Sequence, residues 1–152
     1  IPSRLSPEQA AAARVRLMQM KEQDHFDKAA LDFLAKSSVP AGNAVSSTVK
    51  CRAGRSSYVI NWQGKLRPCV MLSEPEADVF KLGFSAAWKE ITDVVSGIRL
   101  SARCNSCTTR AVCQTCAACA VLETGSFDGI PEYMCRYTKE TIRLLEQLAD
   151  RK

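Results

Sequence analysis

The chain has 152 residues, 46% of them hydrophobic and 24% charged, with a formal net charge of +5 and eight cysteines. Such a length buries a core without covalent staples, and the cysteine fraction lies below the level that marks small disulfide scaffolds. No apolar run approaches the roughly 18 residues of a membrane span, so no membrane partner is expected. Positive charge without a recognised nucleic-acid module leaves nucleic acid unexpected as well.

The first element is marked by Ser6-Pro7-Glu8-Gln9, a capping box with proline at the first helical position. Ala10, Ala13, Leu17 and Met20 recur at helical spacing behind it, which predicts a helix from Pro7 to Glu22 with those residues facing the core. A second helical pattern runs from Phe26 through Ala30, Phe33 and Leu34, and a loop rich in Ser, Pro and Gly follows from Ser37 to Thr48 as a domain boundary.

Between Ser57 and Met71, Tyr58, Ile60 and Trp62 alternate with smaller or polar residues, Gln63-Gly64 offers a turn, and Leu66 opens a second strand. This predicts a β-hairpin in which Gly64 supplies the positive φ of the turn and thereby sets the register of Cys69. Pro68 lacks a backbone donor and suits an edge strand or a strand's end. Ser85 reads as the N-cap of a helix that carries Trp88, Ile91 and Val95 to the core and stops at Gly97. The central cysteine block then begins in a loop and enters a helix near Cys113 that ends before Gly125. Thr138 opens a last amphipathic helix with Ile142, Leu145 and Leu148 on one face.

The cysteines are Cys51, Cys69, Cys104, Cys107, Cys113, Cys116, Cys119 and Cys135, six of them between positions 104 and 135. Three chemistries compete for them. Cys104 with Cys107 and Cys113 with Cys116 are too close to bridge comfortably within each pair, and both density and compartment weigh against a disulfide framework. Zinc ribbons place about 15 to 20 residues between their two C-x2-C pairs, whereas five separate Cys107 from Cys113, and His25 stands far from the block. Two all-thiolate zinc ions nevertheless remain an alternative, since thiolate suits zinc as well as iron-sulfur clusters. Clusters take four thiolates each, often three closely spaced and one remote, and Cys135 is then the remote member. Cys113, Cys116 and Cys119 begin a C-x2-C-x2-C run of ferredoxin type, but Glu123-Thr124 stand where that run demands Cys-Pro.

Other candidate chemistry is weak. His25 beside Asp24 and Asp27 reads as surface, and the carboxylates form no acid and base pair. Tyr58, Trp62 and Trp88 read as core aromatics. No catalytic residue is therefore assigned.

Taken together, Cys51, a spacer of twelve residues, Gly64-x4-Cys69, a gap, Cys104-x2-Cys107-x5-Cys113-x2-Cys116, and Cys135 resemble the pattern of SPASM domains. These are the cysteine-rich C-terminal extensions of radical S-adenosylmethionine enzymes. The segments VFKLGFSAAWKEI and ETGSFDGIPEYMCRYTKE are similar to the same family. Two departures stand out: Cys116 follows Cys113 after two residues rather than the commoner three, and Cys119 is additional.

The resemblance implies two auxiliary 4Fe-4S clusters with interlaced ligands. Cys104, Cys107, Cys113 and Cys135 would hold the second, and Cys51, Cys69 and Cys116 the first. Cys119 lies one helical turn from Cys116 and either completes the first set or fills space among Ala117, Ala118 and Ala120. The fold class expected is α+β, a small metal-centred domain with one β-hairpin, several helices and long amphipathic helices at both ends.

The resemblance further implies a part of a cytoplasmic enzyme similar to sulfatase maturases and peptide-modifying maturases, engaging a peptide or protein substrate and exchanging electrons with a redox donor or acceptor. The C-x3-C-x2-C loop of radical chemistry does not occur here, so S-adenosylmethionine would enter only through a missing N-terminal barrel. Residues 1–50 would then be a helical linker, 51–137 the cluster domain and 138–152 a terminal helix. Two clusters would bring the net charge to about +1. Arg52, Arg55, Lys65, Arg67, Arg103 and Arg110 stand near cysteines in sequence, where they could offset the anionic centres. The alternative from another class is a zinc-binding structural scaffold that binds a partner protein.

Overall fold

Capping chemistry sets the first helix. In a computed structural model that describes residues 4–39 and 51–151, Ser6 Oγ accepts from Gln9 N at 3.2 Å while Ser6 N donates to Gln9 Oε1 at 2.9 Å. Two of the helix's orphan donors are thereby satisfied. Helix α1 spans Pro7–Glu22, a short 3-10 turn Gln23–His25 follows, and α2 spans Phe26–Ser37. Three short strands come next, β1 Val59–Ile60, β2 Lys65–Arg67 and β3 Ala77–Asp78, then α3 Val79–Leu82 and α4 Phe84–Gly97. The cysteine block holds α5 Ala102–Asn105, a 3-10 turn Thr108–Ala111 and α6 Ala117–Thr124, and α7 Glu132–Ala149 closes the chain. The fold is α+β. The boundary loop expected from Ser37 to Thr48 lies, after Val39, outside the described residues.

The chain divides into two compact units. One comprises Ile1–Val45, Ala102–Thr115 and Ile130–Lys152, and the other Ser46–Ser101 and Cys116–Gly129. In the first, the helical unit, Val15, Ala30 and Leu145 form a buried cluster with Met18, Phe26, Phe33, Leu34, Leu144 and Leu148 packed on it. Helix α1 contributes Pro7, Ala11 and Val15, whereas Leu17 and Met20 are exposed. The expected core stripe is thus rotated, because α7 packs along the face that carries Ala11 and Val15. Arg136 and Glu8 tie α7 to α1, and Arg14 spans the rings of Phe33 and Tyr137 at 5.1 and 5.6 Å.

In the second, the hairpin unit, the antiparallel sheet has the order β1-β2-β3. The expected hairpin is present, with Ile60 opposite Leu66, and β3 adds a third strand beside it. Asn61 Oδ1 accepts from Gln63 N at 3.0 Å and Lys65 N at 2.9 Å, and Gly64 takes φ +74°. Pro68 follows the end of the central strand rather than lying on an edge. Tyr58 stacks on Phe84 and Trp88 at 5.2 and 5.5 Å, but Tyr58 is half-exposed and Trp62 is 90% exposed, so neither is a core aromatic.

Helix boundaries depart from expectation where packing overrides local propensity. Gly83, with φ +75°, opens α4, so Ser85 lies inside the helix. The cysteine block contains a one-turn helix and a 3-10 turn before α6, whose N-cap is Cys116 rather than a residue near Cys113. Helix α7 begins six residues before the expected Thr138, which places Cys135 on a helix and buries Thr138. Asp78 caps α3 through Oδ1 to Phe80 N at 3.0 Å and Lys81 N at 3.1 Å, and Oδ2 accepts from Lys65 Nζ at 3.1 Å.

Gly54 shows why a residue without a side chain is needed beside the hairpin. It takes φ +66°, and an added Cβ would lie 2.6 Å from Val95 Cγ2, a buried side chain with nowhere to go. Gly54→Ala is expected to lose about 2–4 kcal/mol through overpacking and left-handed strain, read from urea denaturation. Leu145→Ala, at a fully buried site of the helical unit, should lose about 2–5 kcal/mol. The hydrogen bond from Lys65 holds the Asp78 carboxyl below its ordinary value of 3.8. Its contribution is complete above that value and is lost as the pH falls through the lower native pKa. Asp78→Asn should therefore flatten the acid limb of stability against pH.

Candidate metal centres

All eight cysteines are free thiols, and their distribution follows the two compact units. Cys104, Cys107, Cys113 and Cys135 fall in the helical unit, while Cys51, Cys69, Cys116 and Cys119 fall in the hairpin unit. The chain passes from one unit to the other between Thr115 and Cys116. Two neighbouring members of the dense block are thereby assigned to different units.

In the helical unit, Cys104 is buried on α5 and Cys107 stands at the N-cap of the turn Thr108–Ala111. Cys113 N donates to Thr109 O at 3.0 Å, and Cys135 N donates to Pro131 O at 3.1 Å in the first turn of α7. Backbone hydrogen bonds therefore hold both residues. Burial raises the Cys104 thiol above its ordinary range, as do the charges of Cys113 and Cys107, against the lowering effect of Arg110 and Arg103. Burial likewise raises Cys135, reinforced by Cys113, Glu132, Cys104 and Cys107. The four thiols are thus close enough to sense one another electrostatically.

Around this set the donors are unusual. Cys107 Sγ lies 3.2 Å from Thr109 Oγ1. Arg110 is only 2% exposed, donates from one terminal nitrogen to Thr115 O at 3.3 Å, and leaves Nε buried without a partner. A guanidinium taken out of water needs a compensating anion, and no described carboxylate forms an ion pair with it. Asn105 Oδ1 and Thr115 Oγ1 are also buried and unpartnered. Of the cations singled out in the sequence, Lys65 is paired with Asp78 at 3.1 Å and Arg67 with Glu76 at 2.7 Å. Arg52 donates to Ser56 Oγ. Arg110 is the buried one, and its charge, like that of Arg103, lowers the Cys104 pKa; Thr109 was not singled out because a threonine in a turn carries no distinguishing pattern.

In the hairpin unit, Cys51, Cys69 and Cys116 line one cavity with Ala53, Pro68, Leu72, Val95, Ile98, Ala117 and Ala118. Met71 N donates to Cys69 Sγ at 3.2 Å, and Cys116 Sγ lies 3.7 Å from Cys119 Sγ. Burial raises the Cys119 thiol, and the charge of Cys116 adds to that. The cavity has a volume of about 20 Å³, the size of a single water site. Admitting an inorganic core would require Cys51, exposed at its rim, to draw back.

The donor sets fit thiophilic metals chemically, being all sulfur and four per unit, and the orphaned Arg110 Nε fits an anionic centre. Among the described residues, no group of three or more His, Cys, Asp or Glu side chains is arranged to hold a metal ion. His25 stands in the turn before α2, with Glu22, Lys28 and Asp32 around a shallow cavity and no cysteine there. Comparison with protein-family models, curated proteins and solved structures returned no match.

Thiol reactivity should report this arrangement. Near neutral pH in metal-free protein, iodoacetamide should modify exposed Cys51 first. Cys104, Cys119 and Cys135 should react last, because their raised pKa values leave less thiolate. Peptide mass spectrometry against time reads the order, and uniform rates would contradict it.

Proposed function

We propose that this chain is an auxiliary iron-sulfur domain of the SPASM type, part of a cytoplasmic radical S-adenosylmethionine enzyme that modifies a peptide or protein. The observation that carries the reading is the allotment of four thiols to each compact unit, drawn from segments far apart in sequence. Cys104, Cys107, Cys113 and Cys135 would hold one four-iron cluster, and Cys51, Cys69, Cys116 and Cys119 the other. Bound there, such a cluster supplies one-electron storage at low potential.

The residues of the chain have separable parts in this. Cys104 and Cys135 bring buried sulfur, whose desolvation resists ionisation until a positive centre binds. Cys107 and Cys113 bracket the 3-10 turn that presents Thr109 and Arg110. Gly64 and Gly54 let the hairpin and the turn before it close so that Cys69 and Cys51 reach one cavity. Substrate engagement and the redox donor or acceptor belong to the whole enzyme, as does S-adenosylmethionine, held by an N-terminal barrel.

A second reading, a zinc scaffold that binds a partner protein, draws on one distance. With Zn–S bonds of about 2.3 Å, tetrahedral geometry separates sulfurs by about 3.8 Å, and the Cys116 and Cys119 sulfurs are 3.7 Å apart. That pair supplies two of the four ligands a zinc ion takes, and both belong to the hairpin unit.

Metal content separates the readings. Anaerobic reconstitution with iron and sulfide should give about eight irons and eight sulfides per chain, with absorption near ~400 nm. The double variant Cys104→Ala/Cys135→Ala should retain about half of both, and so should Cys69→Ala/Cys116→Ala. About two zinc ions, no labile sulfide and no such absorption would establish the scaffold instead.

A further inference from the structure

Arg110 is the only charged side chain among the buried residues described. Its place is specific: it follows Thr109 on the 3-10 turn Thr108–Ala111, between Cys107 and Cys113. Arg110 N donates to Cys107 O at 3.0 Å, which pins the turn to one cysteine, and Cys113 N donates to Thr109 O at 3.0 Å, which pins it to the next. The turn therefore carries a hydroxyl 3.2 Å from Cys107 Sγ and a buried positive charge with an idle N–H. A ligating thiolate has no proton to give, so in that state Thr109 is the donor.

We propose that Thr109 and Arg110 set the reduction potential of whatever four-iron cluster Cys104, Cys107, Cys113 and Cys135 hold, raising it above the value four thiolates alone would give. This rests on the cluster reading above. An oxidised core of charge +2 with four thiolates carries −2, and one electron from an external reductant takes it to −3. No bond forms or breaks and no proton moves. Both a hydrogen bond to sulfur and a nearby cation stabilise the more negative state, so each favours reduction. Low dielectric around Arg110 strengthens its effect, since buried charges are little screened by salt. The hairpin unit has no buried cation among its described residues. Its sulfur receives a backbone N–H, from Met71 to Cys69, which no side-chain change removes.

The test uses the whole chain with Cys51→Ser/Cys69→Ser, so that only the cluster of the helical unit is loaded, and follows dithionite titration by absorbance and electron paramagnetic resonance. Arg110→Met is expected to weaken reduction about tenfold, a fall of about 59 mV for one electron. Thr109→Val is expected to lower the midpoint in the same direction by less, with Thr109→Ser restoring it. Because a buried charge is little screened, the difference between the wild-type and Arg110→Met midpoints should persist from low to high salt. Midpoints unchanged in both variants at about four irons per chain would overturn the proposal. Should Arg110→Met lose its iron while Thr109→Val keeps it, the Thr109→Val midpoint decides, an unchanged value being fatal. Failure of the unsubstituted chain to take up iron and sulfide would instead remove the cluster reading itself, which the iron count reveals before any potential is measured.

Discussion

Burial is the constraint that sets the chemistry of these cysteines, because a thiol taken out of water gives up its proton reluctantly. Desolvation raises Cys104, Cys119 and Cys135, so a metal-free thiolate at those positions is disfavoured. Each unit surrounds its thiols differently. The helical unit sets a hydroxyl beside the Cys107 sulfur and buries a guanidinium on the same turn, while the hairpin unit offers a backbone N–H to Cys69 and leaves Cys51 exposed. Arg110 in turn is costly without an anion, and its Nε has no partner among the described residues.

Around the hairpin-unit cysteines the packing is apolar: Ala53, Pro68, Leu72, Val95, Ile98, Ala117 and Ala118 line the cavity together with Cys51, Cys69 and Cys116, and Gly54 abuts Val95 where any Cβ would collide. Helix α6 ends at Gly125 in the left-handed conformation, its N–H donating to Val121 O at 2.8 Å. The helix bearing Cys119 thus begins at one candidate ligand, Cys116, and stops cleanly within three turns.

The net charge of +5 is what remains after pairing, and several of the charges have structural partners. Lys65, Arg67, Glu76 and Asp78 form a network across β2 and β3, and Arg136 and Arg143 pair with Glu8 and Glu140. Such exposed pairs are worth little individually, but those across β2 and β3 join β3 to the hairpin and Arg136–Glu8 joins α7 to α1, while Arg143–Glu140 lies within α7.

Local signals carried far along the chain. The capping box at Ser6 and the turn glycine at Gly64 act through neighbours three or four residues away, so α1 and the hairpin were readable without any tertiary knowledge. The spacing of the cysteines, too, was enough to propose thiophilic metal chemistry, whereas the two interlaced sets came from the resemblance to SPASM domains. What the fold alone decided depends on packing between remote segments: the rotation of α1 that buries Ala11 and Val15 instead of Leu17 and Met20, the third strand, the early start of α7, the exposure of Trp62, and the burial of Arg110. A helix period leaves the choice of face to the partner helix, and a guanidinium's solvation depends on which segments close over it, so neither is encoded in any local window of residues.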